Sequence, residues 1–250
     1  MAACSSRILL EVSLLRAGHF LYLVKFLFWD RTILLRDEKM KLVSLTPEAK
    51  ILLTLVHGKH TYGELKLETG LSDRWLTLKL KELGEQGIVE KAGRWYGLTK
   101  ELKPHPYELS LYLGSQAERM ARELAQLNFI QMIILFGGVA KKTAHQHSDI
   151  DMMMIVDKPI DKAKKILDEK ISELELKFHQ PIEPLILTRN DFMANVNSSE
   201  GGIIYGLAEG CQILVDKTHG ELTEALSSRI REIRDNYEYL KDEGIWIKTG

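Results

Sequence analysis

Apolar residues recur with a helical period in the first half of the chain. Between Thr46 and Thr99 three short segments carry apolar residues three and four positions apart, which is typical of amphipathic helices. Thr46 is a good N-cap and Pro47 suits the first helical position, whereas Gly58 and Gly70 provide stops. Two short β-prone runs then flank a glycine turn within residues 88–98. The pattern therefore predicts three helices followed by a β-hairpin.

In the second half, apolar runs that suit strands alternate with helical stripes. Runs at residues 133–136, 152–156 and 182–187 predict strands. Helical stripes are expected at 115–127 and from Ala163 to Phe178. This is a βαβ-like order within a mixed sheet, and Pro184 indicates an edge strand or a bulge. Residues 100–113, with two prolines, are expected to be a linker. A charged helix, including Tyr237 and Tyr239, is expected from Glu221 to Lys241.

The composition is that of an ordinary globular protein. Apolar residues make up 45% of the chain, charged residues 28%, and the net charge is -1. With this balance there is no global electrostatic attraction to nucleic acid, so any such contact needs a local patch. Cys4 and Cys211 lie too far apart in sequence for a metal motif or a disulfide framework, which fits a reducing cytoplasm. We therefore expect a cytoplasmic location.

Residues 1–39 differ from the rest. The stretch from Leu9 to Trp29 is apolar, but charged residues interrupt it, which argues against a membrane span and against a signal peptide. The sequence from Met40 onward resembles the natural N-terminus of a protein. The segment is interpreted either as an accessory helix or as upstream sequence foreign to the native protein, and the sequence leaves both open.

The residues with the clearest chemical signature lie around the first two predicted strands of the second half. The first strand ends at Gly137-Gly138, and after a polar loop Asp149 and Asp151 open the second strand. Side chains at alternate strand positions share a face, so both carboxylates should point the same way. Two aligned carboxylates beside a glycine turn suit the binding of a divalent metal against a phosphate chain. The competing interpretation is a solvated surface turn.

At these residues the chain resembles the nucleotidyltransferase superfamily, whose pattern is an apolar strand, Gly-Gly or Gly-Ser, a loop of about ten residues and Asp-x-Asp. The resemblance covers roughly residues 124–187 and is nearest to the minimal branch of the family. Gly138 stands where serine is commoner, Lys141 where arginine is usual and Lys142 where glycine is usual. Gly138 therefore lacks the hydroxyl that would contact phosphate in the commoner pattern.

The resemblance implies a role for each matching residue. Asp149 and Asp151 would hold Mg²⁺ or Mn²⁺ and act in catalysis. Glu183 would be a third ligand or assist deprotonation of the acceptor, although it could instead only mark a strand edge. The nucleotide, ATP or another nucleoside triphosphate, would contact the residues Gly137, Gly138, Lys141, Lys142 and Ser148. His145 and His147 are interpreted as exposed loop residues rather than as a zinc site.

The three helices and hairpin resemble winged helix-turn-helix domains of prokaryotic regulators over about 55 residues. Such domains place the third helix in the DNA major groove and the wing on the backbone. The resemblance implies nucleic-acid contacts from Arg74, Thr77, Lys79, Lys81 and Arg94. Glu82, Glu85 and Glu90 dilute this basic face, and a face that only contacts solvent or protein stays open.

The expected fold class is α+β, a winged helix joined to a mixed sheet of the nucleotidyltransferase fold with flanking helices. The expected segments are 1–39, the winged helix at 40–100, a linker at 101–114, the transferase domain at 115–218 and a C-terminal helix at 219–250. The implied reaction moves a nucleoside monophosphate, AMP by preference, to a hydroxyl of a macromolecular or small acceptor. Alternatives are a non-catalytic DNA-binding regulator that senses nucleotide and an antitoxin-like modifier of a partner protein. Expected partners are the nucleoside triphosphate, DNA or RNA, and a protein target. No membrane is expected as a partner.

Overall fold

The computed structural model describes residues 45–198, 202–240 and 243–249. The segment predicted at 1–39 lies outside the described residues. Within the described ranges, no helix is long and apolar enough to cross a membrane.

The first described module contains the predicted three helices and hairpin. Helices α1 (Pro47–Val56), α2 (Tyr62–Thr69) and α3 (Asp73–Glu85) surround a core of leucine, isoleucine and valine side chains. Strand β1 (His60–Thr61) and the hairpin β2 (Val89–Ala92) and β3 (Trp95–Leu98) form a sheet of order β1-β3-β2. Thr46, Thr61 and Ser72 cap the three helices through their side-chain oxygens. The elements agree with the sequence pattern, and their assignment to a winged helix-turn-helix domain stays a prediction.

The second module is built on a four-stranded mixed sheet of order β6-β5-β4-β7. Its strands are β4 (Ile130–Leu135), β5 (Ile150–Val156), β6 (Ile182–Thr188) and β7 (Gln212–Asp216). Strands β5 and β6 are parallel and joined by helix α6 (Ile160–Phe178), as the predicted βαβ order requires. Strand β6, which contains Pro184, is an edge strand of this sheet.

Alternating side chains of the central strands enter two different cores. Met152, Met154 and Val156 pack with helices α4 (Pro106–Leu124) and α6 on one face. Met153 and Ile155 pack on the other face with α7 (Arg189–Asn197), α8 (Ile203–Glu209) and α9 (Glu221–Asn236). The sheet is therefore covered on both sides, which explains why β5 is apolar throughout except at Asp151.

The predicted linker at 101–114 is wrong over much of its length. Helix α4 begins at Pro106 rather than at residue 115, because proline is tolerated in the first turn and His105 and Glu108 form a capping box. Leu109, Tyr112 and Leu113, expected to be linker residues, are buried in the core. The connection between the hairpin and α4 is thus short.

The predicted C-terminal helix begins at Glu221 as expected, but its predicted end at Lys241 is wrong. Helix α9 ends at Asn236, and Tyr237 and Tyr239 lie on strand β8 (Tyr237–Leu240), which pairs with β9 (Ile245–Lys248). The rings of Tyr237 and Tyr205 lie edge to face with centroids 5.4 Å apart. Aromatic and β-branched residues, which are common in strands, favour this hairpin over continuation of the helix.

The corrected start of α4 makes a stability prediction. Leu113→Ala should lower the free energy of unfolding by about 2–5 kcal/mol, because a fully buried leucine leaves a cavity. Leu176→Ala, the same change at a side chain that is 79% exposed, should cost less than about 0.5 kcal/mol. Denaturant unfolding of both variants measures the difference. Equal, small effects would contradict a buried helix at residue 113.

Candidate active site

A glycine turn at the end of β4 lies directly against Asp151. Gly137 has a φ of +64°, the left-handed region that glycine adopts without strain, and it starts the five-residue helix α5 (Gly137–Lys141). A Cβ at this position would overlap the carboxylate of Asp151. That carboxylate also accepts a hydrogen bond from the backbone N–H of Gly138. The expected tight turn is therefore the first turn of a short helix that holds Asp151 against its backbone.

Gly138 lies in a roomier place than Gly137. The nearest atom to a Cβ built on Gly138 would be Oγ1 of Thr143, at 3.8 Å, which is ordinary van der Waals contact. A serine, the commoner residue of the family pattern, would fit here. The close approach of the backbone to the Asp151 carboxylate thus requires glycine at residue 137 but not at residue 138.

Three carboxylates converge at the mouth of the parallel strand pair. Asp149 directly precedes β5, Asp151 is its second residue, and Glu183 pairs with Asp151 in the parallel register of β5 and β6. Burial, and then the negative charges of Glu183 and Asp149, raise the pKa of Asp151. The three groups therefore repel one another electrostatically. A divalent cation relieves such repulsion, and oxygen ligands suit Mg²⁺ and Mn²⁺.

A cleft of about 350 Å³ opens beside the carboxylates. Its lining is polar and comprises Gly138, Thr143, His145, His147, Ser148, Asp149 and Asp151. The two histidines are exposed loop residues, as expected from the sequence. Thr143 was not anticipated, since a lone threonine in a polar loop carries no distinctive signal.

Hydrogen bonds fix the loop that forms one wall of this cleft. Ser148 Oγ accepts from the backbone N–H of His145 at 2.9 Å, and Ser110 Oγ accepts from the N–H of Ala144 at 3.1 Å. Gln146 Nε2 donates to the carbonyl oxygen of Val56, the last residue of α1, at 3.1 Å. The first module therefore contacts the cleft loop directly.

The two lysines expected to contact the nucleotide do not line the cleft. Lys141 Nζ forms an ion pair with Glu209 Oε2 at 2.9 Å, which directs it to helix α8. Lys142 has a φ of +65° and caps the C-terminal end of α5. The structure thus brings together Gly138, Ser148, Asp149 and Asp151, with Gly137 and Glu183 adjacent, and directs the Lys141 side chain to Glu209 of helix α8.

The residues expected to contact nucleic acid share the outer surface of the first module, although not as a continuous basic face. Lys79 is held between Glu48 and Glu82 at 2.7 and 2.8 Å, and Thr77 hydrogen-bonds the Tyr62 hydroxyl at 3.0 Å. The remaining three are exposed: Arg74, Lys81 (3.7 Å from Glu85) and Arg94, which lies over the Trp95 ring. Acidic neighbours therefore neutralise part of this face.

Comparison with known proteins gives a family match within the second module. Residues 118–217 match the family model described as polymerase beta, nucleotidyltransferase. The matched range contains the Gly137 turn and all three carboxylates, so this part of the chain is similar to nucleotidyltransferases of the polymerase beta type. No match was found among curated proteins.

Several solved structures are similar to part of the chain. A toxin–antitoxin complex with AMP-PNP has a TM-score of 0.33 and 17% identity, covering 47% of this chain and 87% of that one. The tri-AMPylated Shewanella oneidensis HEPN toxin in complex with MNT antitoxin gives 0.30 and 15%, with coverages of 48% and 87%. The toxin–antitoxin pair MntA–HepT gives 0.30 and 13%, with coverages of 49% and 87%.

Proposed function

We propose that the chain transfers a nucleoside monophosphate from a nucleoside triphosphate, with ATP the preferred donor, to a hydroxyl group and releases pyrophosphate. The observation that carries the proposal is the contact of Asp151 with Gly137, with Asp149 and Glu183 beside it. Structural acids seldom crowd together at a glycine that no other residue can replace. Such crowding is typical of a site that binds cations and phosphates.

The donor set fits Mg²⁺ or Mn²⁺. Asp149, Asp151 and Glu183 supply only oxygen atoms, and burial, followed by the negative charges of Glu183 and Asp149, raises the pKa of Asp151. When bound, the ion would stabilise the negative charge that develops as the phosphoanhydride bond breaks. Asp149 and Asp151 would hold it, and Glu183 would complete the ligand set or accept the proton of the acceptor hydroxyl.

The cleft wall would position the triphosphate. Thr143 and Ser148 offer hydroxyl groups, and exposed imidazoles of His145 and His147 offer N–H donors. The backbone N–H groups of the Gly137 turn would also face the phosphates, because glycine has no side chain to block their approach. With Lys141 paired to Glu209, these donors would take its place in contacting phosphate.

The first test is a donor comparison. The full-length chain, Mg²⁺, cell extract and each of four α-labelled nucleoside triphosphates are incubated in turn, and label in acceptors and released pyrophosphate are measured. ATP is expected to give the most label. Equal labelling from all four would contradict a preference for ATP, and absence of label together with intact nucleotide binding would favour a nucleotide-sensing regulator.

We further propose that the first module presents a macromolecular acceptor to the cleft, because Gln146 ties the cleft loop to helix α1. Replacing Arg74, Lys81 and Arg94 by alanine should leave metal–nucleotide binding unchanged. It should weaken binding of an anionic acceptor and lower the salt slope by about one unit per lost phosphate contact. Lys79 is left intact because two glutamates already pair with it.

A matched triple variant controls for net charge. Replacing the exposed Lys162, Lys164 and Lys165 of α6 by alanine removes three positive charges elsewhere, and acceptor binding should be unaffected. If the first triple variant instead abolishes nucleotide binding, its basic residues belong to the active site. If both triple variants behave like the wild type, the basic residues are only solvated surface, and the role of the first module is to be sought in contacts with other proteins.

A further inference from the structure

Three potential metal ligands that do not line the cleft meet where the two modules touch. Glu68 of α2 is 2% exposed, and its Oε1 atom lies 3.1 Å from His60 Nε2 and 2.8 Å from His179 Nδ1. The three ligand atoms lie within 4.8 Å of one another. His60 and Glu68 come from the first module, and His179 follows helix α6 of the second.

Hydrogen bonds from neighbouring groups orient these ligands, as they do for the ligands of zinc proteins. His60 Nδ1 lies 2.9 Å from the carbonyl oxygen of Gly58, which can only accept, so Nδ1 carries a proton. In the neutral ring the Nε2 lone pair then points at the cluster. The Tyr112 hydroxyl donates to Glu68 Oε2 at 3.1 Å, leaving Oε1 for a cation. In metal sites, a histidine ligand commonly donates its other ring N–H to a carbonyl oxygen, and a carboxylate ligand commonly accepts a hydrogen bond on its other oxygen.

Without a cation, one carboxylate oxygen would have to satisfy two imidazoles. His60 would then carry protons on both nitrogens, one for Gly58 and one for Glu68, while only 4% exposed. The alternative to a metal site is therefore a hydrogen-bonded cluster in which His60 is protonated. In a metal site, the ion would replace the protons between the three groups and coordinate all of them.

We propose that His60 Nε2, Glu68 Oε1 and His179 Nδ1 bind Zn²⁺ and that this ion fastens the first module to the transferase domain. Two nitrogens and one oxygen suit zinc, with a water molecule in the fourth position, and the His179 side chain is 45% exposed, which admits that water. Tetrahedral ligands at about 2.0–2.1 Å lie about 3.3 Å apart, so each nitrogen needs to move away from Glu68 Oε1 by only about 0.2–0.5 Å, and the two nitrogens already lie within 4.8 Å of each other. Imidazole ligands distinguish this site from the oxygen-only site at Asp149 and Asp151, which suits Mg²⁺.

The test measures zinc binding by the full-length chain and is independent of transferase activity. The Asp149→Asn, Asp151→Asn background with excess Mg²⁺ keeps zinc from the carboxylates of the cleft. After treatment with a chelator, the protein is titrated with ZnCl₂ against a competing chelator. We expect one zinc ion per chain and a melting temperature about 5 °C higher at a hundredfold excess over the dissociation constant. Co²⁺ in its place should give the visible absorption of a tetrahedral site.

The chain supplies a closely matched control. His179 and His219 both have positive φ, at 51° and 55°, a region that asparagine also tolerates. His179→Asn should weaken zinc binding by at least about 100-fold and abolish the thermal shift, whereas His219→Asn should change neither. Glu68→Gln should also lose zinc, and circular dichroism of each variant reports whether it is folded.

Either of two kinds of result would overturn the proposal. One is that the Asp149→Asn, Asp151→Asn background binds no zinc, or that a folded His179→Asn variant of it binds zinc as tightly as the background itself; the cluster is then a hydrogen-bonded contact. The other is loss of the bound zinc on replacing His145 and His147 by asparagine, which would assign the ion to the cleft loop. Neither result depends on whether the chain transfers nucleotides.

Discussion

Exchanging Asp149 and Asp151 together for asparagine is expected to abolish metal-dependent nucleotide binding and to reduce nucleotidyl transfer by about a thousandfold or more. These two carboxylates are the acidic residues that line the cleft, and Asp151 lies against the glycine turn. Asparagine keeps their size but removes the charge that would hold the cation. Calorimetric titration with Mg²⁺ and ATP measures the binding loss.

The same double variant should fold at least as stably as the wild type. The pKa of Asp151 is raised in the folded chain, chiefly by burial and then by Glu183 and Asp149. For an acid, a raised folded-state pKa means that this contribution favours folding at low pH and weakens as the pH rises through that pKa. At pH 7 asparagine removes the penalty, so the melting temperature should not fall.

A control with an equal change of charge separates the site from general electrostatics. Asp168→Asn with Glu169→Gln removes two exposed carboxylates from α6 and should leave both binding and transfer unchanged. Metal–nucleotide affinity that is unaltered in the Asp149, Asp151 variant would contradict the assigned site. Equal losses in both double variants would show that only net charge matters.

Gly137→Ala is expected to cost both activity and stability. The left-handed backbone at φ +64° disfavours alanine by about 1–2 kcal/mol, and the added methyl group would displace Asp151 from the turn. Because Asp151 is a proposed cation ligand, transfer should fall by about 100-fold or more even in the molecules that fold.

Gly138→Ala and Gly138→Ser are the matched controls. Both add a Cβ one residue along, where the nearest atom would be 3.8 Å away, so stability should change by less than about 0.5 kcal/mol. Transfer should be retained, and the serine restores the hydroxyl of the family pattern. Thermal unfolding and initial rates of all three variants measure the contrast; similar behaviour of Gly137→Ala and Gly138→Ala would refute the steric account.

The central strands and the acidic pair could be predicted because local signals agree there. The run from Met152 to Val156 is apolar at every position, as a strand covered on both faces requires, and both cores are present. The family resemblance implied Glu183 as a third carboxylate, and the parallel register of β5 and β6 pairs it with Asp151.

Other features depend on contacts that sequence spacing does not show. Prolines at 104 and 106 indicated a linker, yet Pro106 starts α4 because its cap and its buried face favour a helix. The ion pair of Lys141 with Glu209 joins residues 68 positions apart, so no local pattern could exclude Lys141 from the cleft. The meeting of Glu68 with His179, 111 positions away, is likewise a product of the tertiary fold.

The central claim is that the chain transfers a nucleotide rather than a phosphate. The most direct test incubates the full-length chain, Mg²⁺ and cell extract with ATP labelled at either the α or the γ phosphate. Label from the α position should appear in an acceptor together with released pyrophosphate, and it should be absent with the Asp149→Asn, Asp151→Asn variant. Transfer of the γ label alone would mean phosphoryl transfer and would contradict the account, as would α labelling that survives in the variant.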